Sequence, residues 1–145
     1  MEPSTLAMVT NLEELVKNLD KYPVEVHEKP YGITKTYKIS DYYEIFVLDI
    51  EPNQRLSRKR HIDRDEFVLL LDDMYVELYE EDPVMHKRGD IVIVPRNIYH
   101  RMSTGDKGGR MLKIEFGGGA GDVDDFIRSE DDYGRPLNVK YPGME

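Results

Sequence analysis

RLSRKRHIDRDE (residues 55–66) and GDIVIVPRNIYH (residues 89–100) decide how this 145-residue chain is read. The first stretch puts His61 at the end of one extended run and Glu66 at the start of the next, with residues 62–65 as the turn between them. In the second, Gly89 supplies a tight turn and residues 91–94 form an apolar run. Pro95 then ends that run, so that His100 returns from a loop. Two imidazoles and a carboxylate suit a divalent metal such as zinc, iron, manganese or nickel. A small antiparallel barrel is the architecture that aims three such ligands into its mouth.

Side chains alternate along a strand, so Arg55, Ser57, Lys59 and His61 are expected on one face, with Leu56, Arg58 and Arg60 on the other. A face of Arg, Ser, Lys and His turned into a barrel is not plain core, because burying those groups unpaired carries a large desolvation cost. They are expected to meet water, a metal, a ligand or carboxylates. His27 and His86 have no comparable context and read as ordinary surface or strand-end histidines.

Outward from these two stretches the pattern is β. Residues 43–51 (YEIFVLDIE) are rich in β-branched and aromatic types. Residues 54–61 are expected as the next strand and 66–71 as a strand covered on both faces, followed by strands over 74–80, 91–94 and 110–116. Turns every eight to twelve residues point to an all-β sandwich or barrel. At the start, Thr10 and Glu13 have capping-box spacing, and Leu12, Leu15, Val16 and Leu19 repeat at helical spacing. This predicts one short helix packed on the barrel or on a partner subunit. Residues 1–21 are thus an arm and helix, and 22–145 a single domain with a C-terminal extension. The glycine run at 117–121 reads as a hinge, and residues 122–128 as a turn of helix.

The chain fits one core and is too short for two. A net charge of -9 argues against a nucleic-acid or anionic-membrane surface. The absence of cysteine excludes disulfides and thiolate zinc sites. The N-terminal residues lack a signal-peptide pattern and no stretch approaches the length of a membrane span, which gives the expectation of a cytoplasmic, soluble protein.

PNQRLSRKRHIDRDEF (52–67) followed by GDIVIVPRNIYHRM (89–102) resembles the two signature segments of the cupin superfamily, whose fold is a double-stranded β-helix, or jelly-roll, barrel. More closely, the chain resembles the isomerase cupin of type II mannose-6-phosphate isomerases. EKPYG (28–32) sits where that family has an Arg-Pro-Trp-Gly-like entry, and DVDDFIRSEDDYGR (122–135) resembles its ending. The resemblance spans roughly residues 28–136, without the guanylyltransferase domain that often precedes the module. It implies His61, Glu66 and His100 as metal ligands. The family's fourth ligand, a glutamine, is replaced by Lys59, and its tryptophan after the glutamate by Phe67. An ammonium cannot coordinate a metal, so Lys59 is expected to be deprotonated, turned away, or paired with Glu66 in the metal's stead.

The function this implies is a metal-dependent sugar-phosphate isomerase that moves a proton between adjacent carbons, with zinc or a similar divalent ion as cofactor. Lys59 is the expected base. Arg55, Arg128 and Arg135 are suited to the phosphate, with Arg55 and Arg128 expected to bind substrate and Arg135 counted with Lys59 as catalytic. Pairing of Arg128 and Arg135 with Glu130, Asp131 and Asp132 is the structural alternative. A non-catalytic sugar- or metabolite-binding cupin is the second reading, and a metal-dependent oxygenase with a two-histidine, one-carboxylate triad the third. A homodimer formed through edge strands is also expected.

Overall fold

The computed structural model describes residues 12–39, 44–79, 81–117 and 126–137. The arm over 1–9, the Thr10 cap and residues 118–125 lie outside the described residues. Among the described residues, eleven strands follow one helix over residues 12–19. They are β1 (Val24–Lys29), β2 (Gly32–Lys38), β3 (Glu44–Ile50), β4 (Arg58–His61), β5 (Arg64–Leu70) and β6 (Met74–Leu78), then β7 (Val84–His86), β8 (Ile91–Val94), β9 (His100–Ser103), β10 (Gly109–Gly117) and β11 (Phe126–Glu130). They form two sheets, ordered β1-β2-β3-β10-β5-β8 and β11-β4-β9-β6-β7, with antiparallel pairing throughout. This is the expected all-β jelly-roll barrel with a short N-terminal helix. No helix among the described residues is long and apolar enough to cross a membrane.

Two apolar layers hold the sheets. Between them lie Leu48, Ile50, Val68, Leu70, Met74, Val76, Met102 and Met111. On the outer face of the six-stranded sheet, Leu12 and Leu19 of the helix pack against Tyr37, Val47, Leu69, Leu71 and Leu112. The helix therefore docks on its own barrel. β5 and β10 are covered on both faces for this reason, which explains the unbroken apolar run in residues 67–71.

Tight turns set the register. Gly32 has φ +149°, and a side chain there would strike the Asp49 carbonyl on β3, so the β1–β2 turn requires glycine. Gly89, at φ +90°, donates its N–H to the Leu70 carbonyl at 2.8 Å and launches β8 beside β5.

Three expectations need correction. The turn after His61 is shorter than residues 62–65: β5 begins at Arg64, so Glu66 is its third residue. Residues 54–61 are not one strand: Arg55 makes a single bridge to Ser103, and β4 begins only at Arg58. Leu56 and Ser57 are both buried, so the alternation breaks between them and Arg55 is left at the surface. The helical turn expected over 122–128 is also not found in its described part. Residues 126–130 are strand β11, with Phe126 opposite His61, Ile127 opposite Arg60 and Arg128 opposite Lys59. The open edge of β4 offers ladder hydrogen bonds to the segment, and these outweigh its local helical pattern.

Candidate metal centre and its cavity

β4, β5 and β9 bring His61, Glu66 and His100 together, all three nearly inaccessible to solvent. One ligand atom from each lies within 4.8 Å of the others. His61 Nε2 is 2.5 Å from Glu66 Oε1, and His100 Nε2 is 3.1 Å from Glu66 Oε2. His100 Nδ1 donates to the Ile98 carbonyl at 3.0 Å. A carbonyl only accepts, so Nδ1 carries a proton and Nε2 is left facing the carboxylate. An imidazole lone pair and a carboxylate do not face each other at that distance without a cation between them, either a proton or a metal. The donor set and its outer hydrogen bond therefore fit a divalent ion.

The surroundings hold charges that the ligand motif does not display. Lys113 Nζ, from β10, lies 3.0 Å from Glu115 Oε1 and 3.5 Å from Glu66 Oε1. Arg64 donates from Nη1 to Glu115 Oε2, and His61 Nε2 stands 3.8 Å from Glu115 Oε1. Two buried carboxylates are thus set against two buried cations. Burial alone would raise the proton affinity of Glu66, but Lys113, His100 and His61 outweigh it and hold the carboxyl well below the ordinary range. Burial likewise pushes the Glu115 carboxyl up, and the Lys113 ammonium beside it does most to bring it below its ordinary value. Burial disfavours the Lys113 ammonium, yet Glu115 and Glu66 more than compensate and raise its pKa.

A cavity of about 540 Å³ opens from this cluster between the sheets. Lys59 lines it, its Nζ 5.0 Å from the centre of the Phe126 ring. No carboxylate of the described residues comes within ion-pairing distance of Lys59. Burial, aided by the charge of Lys113, pushes its pKa down to about 7. Of the three outcomes expected for Lys59, weakened protonation is the one the surroundings favour.

Arg128 also lines the cavity, donating from Nε to Ser57 Oγ at 3.2 Å and from Nη1 to the Pro136 carbonyl at 3.1 Å. Its guanidinium makes a second cation–π contact with Phe126, 4.8 Å from the ring centre. Among the described residues it has no carboxylate partner, so the structural alternative of pairing with its acidic neighbours is not what holds it. Arg135 lines the cavity too, but is gripped by the buried Asp131 carboxylate at 2.8 Å, between the rings of Tyr31 and Tyr133. Arg55 does not reach the cavity. It is exposed and makes a bidentate pair with Asp132 at 2.6 and 2.7 Å. The structure thus gathers His61, Glu66, His100, Lys59, Arg128 and Arg135 around one space and leaves Arg55 outside.

Lys113, Glu115 and Arg64 are members of the cluster that the sequence pattern does not point to. In KIEF (113–116) the charged residues alternate with apolar ones, which reads as a strand with a solvent face. That face is in fact the interior, because the helix covers the other side. The signal available is that Leu112 and Ile114 line up with the helix stripe.

The family described as "Mannose-6-phosphate isomerase C-terminal" matches residues 17–131. No curated protein matches the chain. Solved structures similar in fold include CapF bound to 3-isopropenyl-tropolone, an inhibitor, with a TM-score of 0.60 at 14% identity over 73% of this chain and 34% of that one. KdgF from a Halomonas species gives 0.56 at 12% identity over 68% and 90% of the two chains. A Klebsiella pneumoniae protein with a double-stranded β-helix domain gives 0.61 at 17% identity over 78% and 95%. The chain spans about a third of the length of CapF. Identities this low carry the fold and nothing finer.

Proposed function

The chain belongs to the mannose-6-phosphate isomerase C-terminal family of cupins, and on that footing we propose that it interconverts an aldose phosphate and a ketose phosphate in the barrel cavity. One observation carries the reading: a three-ligand cluster and a lysine of weakened basicity face the same enclosed space. His61, Glu66 and His100 would hold the divalent ion, which would supply Lewis-acid polarisation of the substrate's carbonyl and hydroxyl oxygens. Lys59 removes the proton from the alcohol carbon and returns it to the neighbouring one, while the hydroxyl proton passes to the former carbonyl oxygen. A pKa of about 7 leaves a large neutral fraction at neutral pH, which a general base requires. Arg128, with no carboxylate of its own among the described residues, takes the phosphate, since guanidinium matches it in charge and geometry. Arg135, fixed by Asp131, presents a second guanidinium to the cavity from the segment after β11.

The replacement of the family's glutamine by Lys59 favours a second reading, a binding module that holds a sugar phosphate without turning it over. Lys59→Gln separates the two. The amide restores a ligand type and removes a charge beside the ion, so metal affinity should rise in calorimetric titration. If Lys59 is the base, interconversion of mannose 6-phosphate and fructose 6-phosphate should be present in the wild type and fall in the variant. Absence of turnover in the wild type, with activity appearing in the variant, would identify the binding module. Iron as the resident metal would favour the oxygenase over both.

A further inference from the structure

We propose that Lys113 is the triad's resident counter-cation and moves from a position shared between Glu66 and Glu115 onto Glu115 alone when a divalent metal binds. The inference rests on the three residues being metal ligands but not on the isomerase reaction. Its ground is geometric. Glu66 Oε1, the oxygen that His61 Nε2 approaches at 2.5 Å, is also 3.5 Å from Lys113 Nζ. A metal bound by that oxygen would stand close to an ammonium. Two positive centres a few ångströms apart in a poorly hydrated interior repel strongly. The same ammonium already lies nearer to Glu115, at 3.0 Å, so a second resting place is at hand. Arg64 holds the other oxygen of Glu115 and fixes that carboxylate in place.

Glu66 and Glu115 are both held by Lys113, and Glu115 also by Arg64, so the ligands stay assembled before any metal arrives. Metal occupancy becomes conditional, set by competition with an internal lysine. The two carboxylates have unequal roles. Glu66 is shared between Lys113 and the metal, whereas Glu115 receives the lysine that the metal displaces.

Titration of the metal-free protein with zinc and with manganese tests this, using calorimetry and metal-induced shifts in melting temperature. Lys113→Met should bind at least tenfold more tightly than the wild type and gain more thermal stability from the metal. Should that variant not fold, Lys113→Gln keeps a polar group of similar reach without the charge. Glu115→Gln should bind at least fivefold more weakly, because the lysine then has only Glu66. Crystals of the wild type with zinc should show Lys113 Nζ withdrawn from Glu66 and retained on Glu115. Equal or weaker affinity in both Lys113 variants would overturn the proposal while leaving the metal site intact. So would a zinc-bound structure with Lys113 still against Glu66, and an unchanged affinity for Glu115→Gln would remove the second position. Failure of every variant and of the wild type to bind either metal would overturn the metal centre itself along with this inference.

Discussion

Met111 and Glu115 lie on one face of β10, four residues apart, and the two ends of the barrel interior that they mark are held together differently. Around Met111 the lining is Leu48, Leu70, Met74, Val76 and Met102, closed to solvent and without charge. Around Glu115 it is Arg64, Lys113, His61 and Glu66, equally buried but polar or charged throughout. Apolar burial is non-directional and roughly proportional to area, so each side chain contributes largely by itself. A buried charge is tolerated only with its partners, so the charged end is stable as a set and weak when one member is missing. The cavity touches both ends, lined by Leu48, Met102 and Met111 as well as by the charged set, and only at the charged end does it meet side chains whose partners can be exchanged.

The contrast can be broken by experiment, and the largest effect is expected where a charge is orphaned. Arg64→Met should lower stability by about 4 kcal/mol, since removing one partner of a buried pair leaves the other uncompensated. Urea unfolding would measure it, and a loss below about 1 kcal/mol would show that the Arg64–Glu115 pair does not hold this end. At the apolar end Leu70→Ala should cost about 3 kcal/mol, the usual figure for a buried leucine. That loss should be the same with or without metal, whereas the Arg64 loss should change when metal is added.

Lys59→Met has the opposite sign. The folded protein lowers the lysine's pKa from 10.5 to about 7, so in the folded state the charged form is disfavoured. Below pH 7 the lysine is charged both folded and unfolded, and its burial costs the full amount. Between about 7 and 10.5 the unfolded chain binds the proton and the folded one does not, so wild-type stability rises through that window. The variant should therefore gain about 2 kcal/mol near pH 6, discounted for the water that reaches the ammonium through the cavity. That advantage should fade as pH approaches 10.5. A gain that does not vary with pH would mean that apolar packing rather than charge is responsible. The smallest effect is expected at the surface: Arg55→Ala breaks an exposed pair with Asp132 and should cost under about 1 kcal/mol. A change in sugar-phosphate affinity in that variant would contradict its placement outside the cavity.

Much of this architecture is legible from the residues, and for identifiable reasons. The strands over 44–50 and 91–94 carry their own β-rich patterns, and His61 and His100 sit at strand ends, the second reached through the loop after Pro95. Three features are not legible. Phe126–Glu130 looks helical locally and becomes a strand only because β4 offers an edge. Arg55 leaves the inner face because Leu56 and Ser57 are buried in succession, a break that strict alternation does not foresee. Lys113 and Glu115 point inward because the helix already covers the apolar side of β10, so the choice between inside and outside is made by another element of the chain.

Whether His61, Glu66 and His100 hold a metal decides the rest. Protein purified without chelator should be crystallised with zinc and studied by anomalous diffraction, with His100→Ala as the companion. A single strong peak between the two imidazoles and the Glu66 carboxylate, lost in the variant, is the predicted result. Zinc bound elsewhere, or no peak while Glu66 remains clamped by His61, His100 and Lys113, would contradict it.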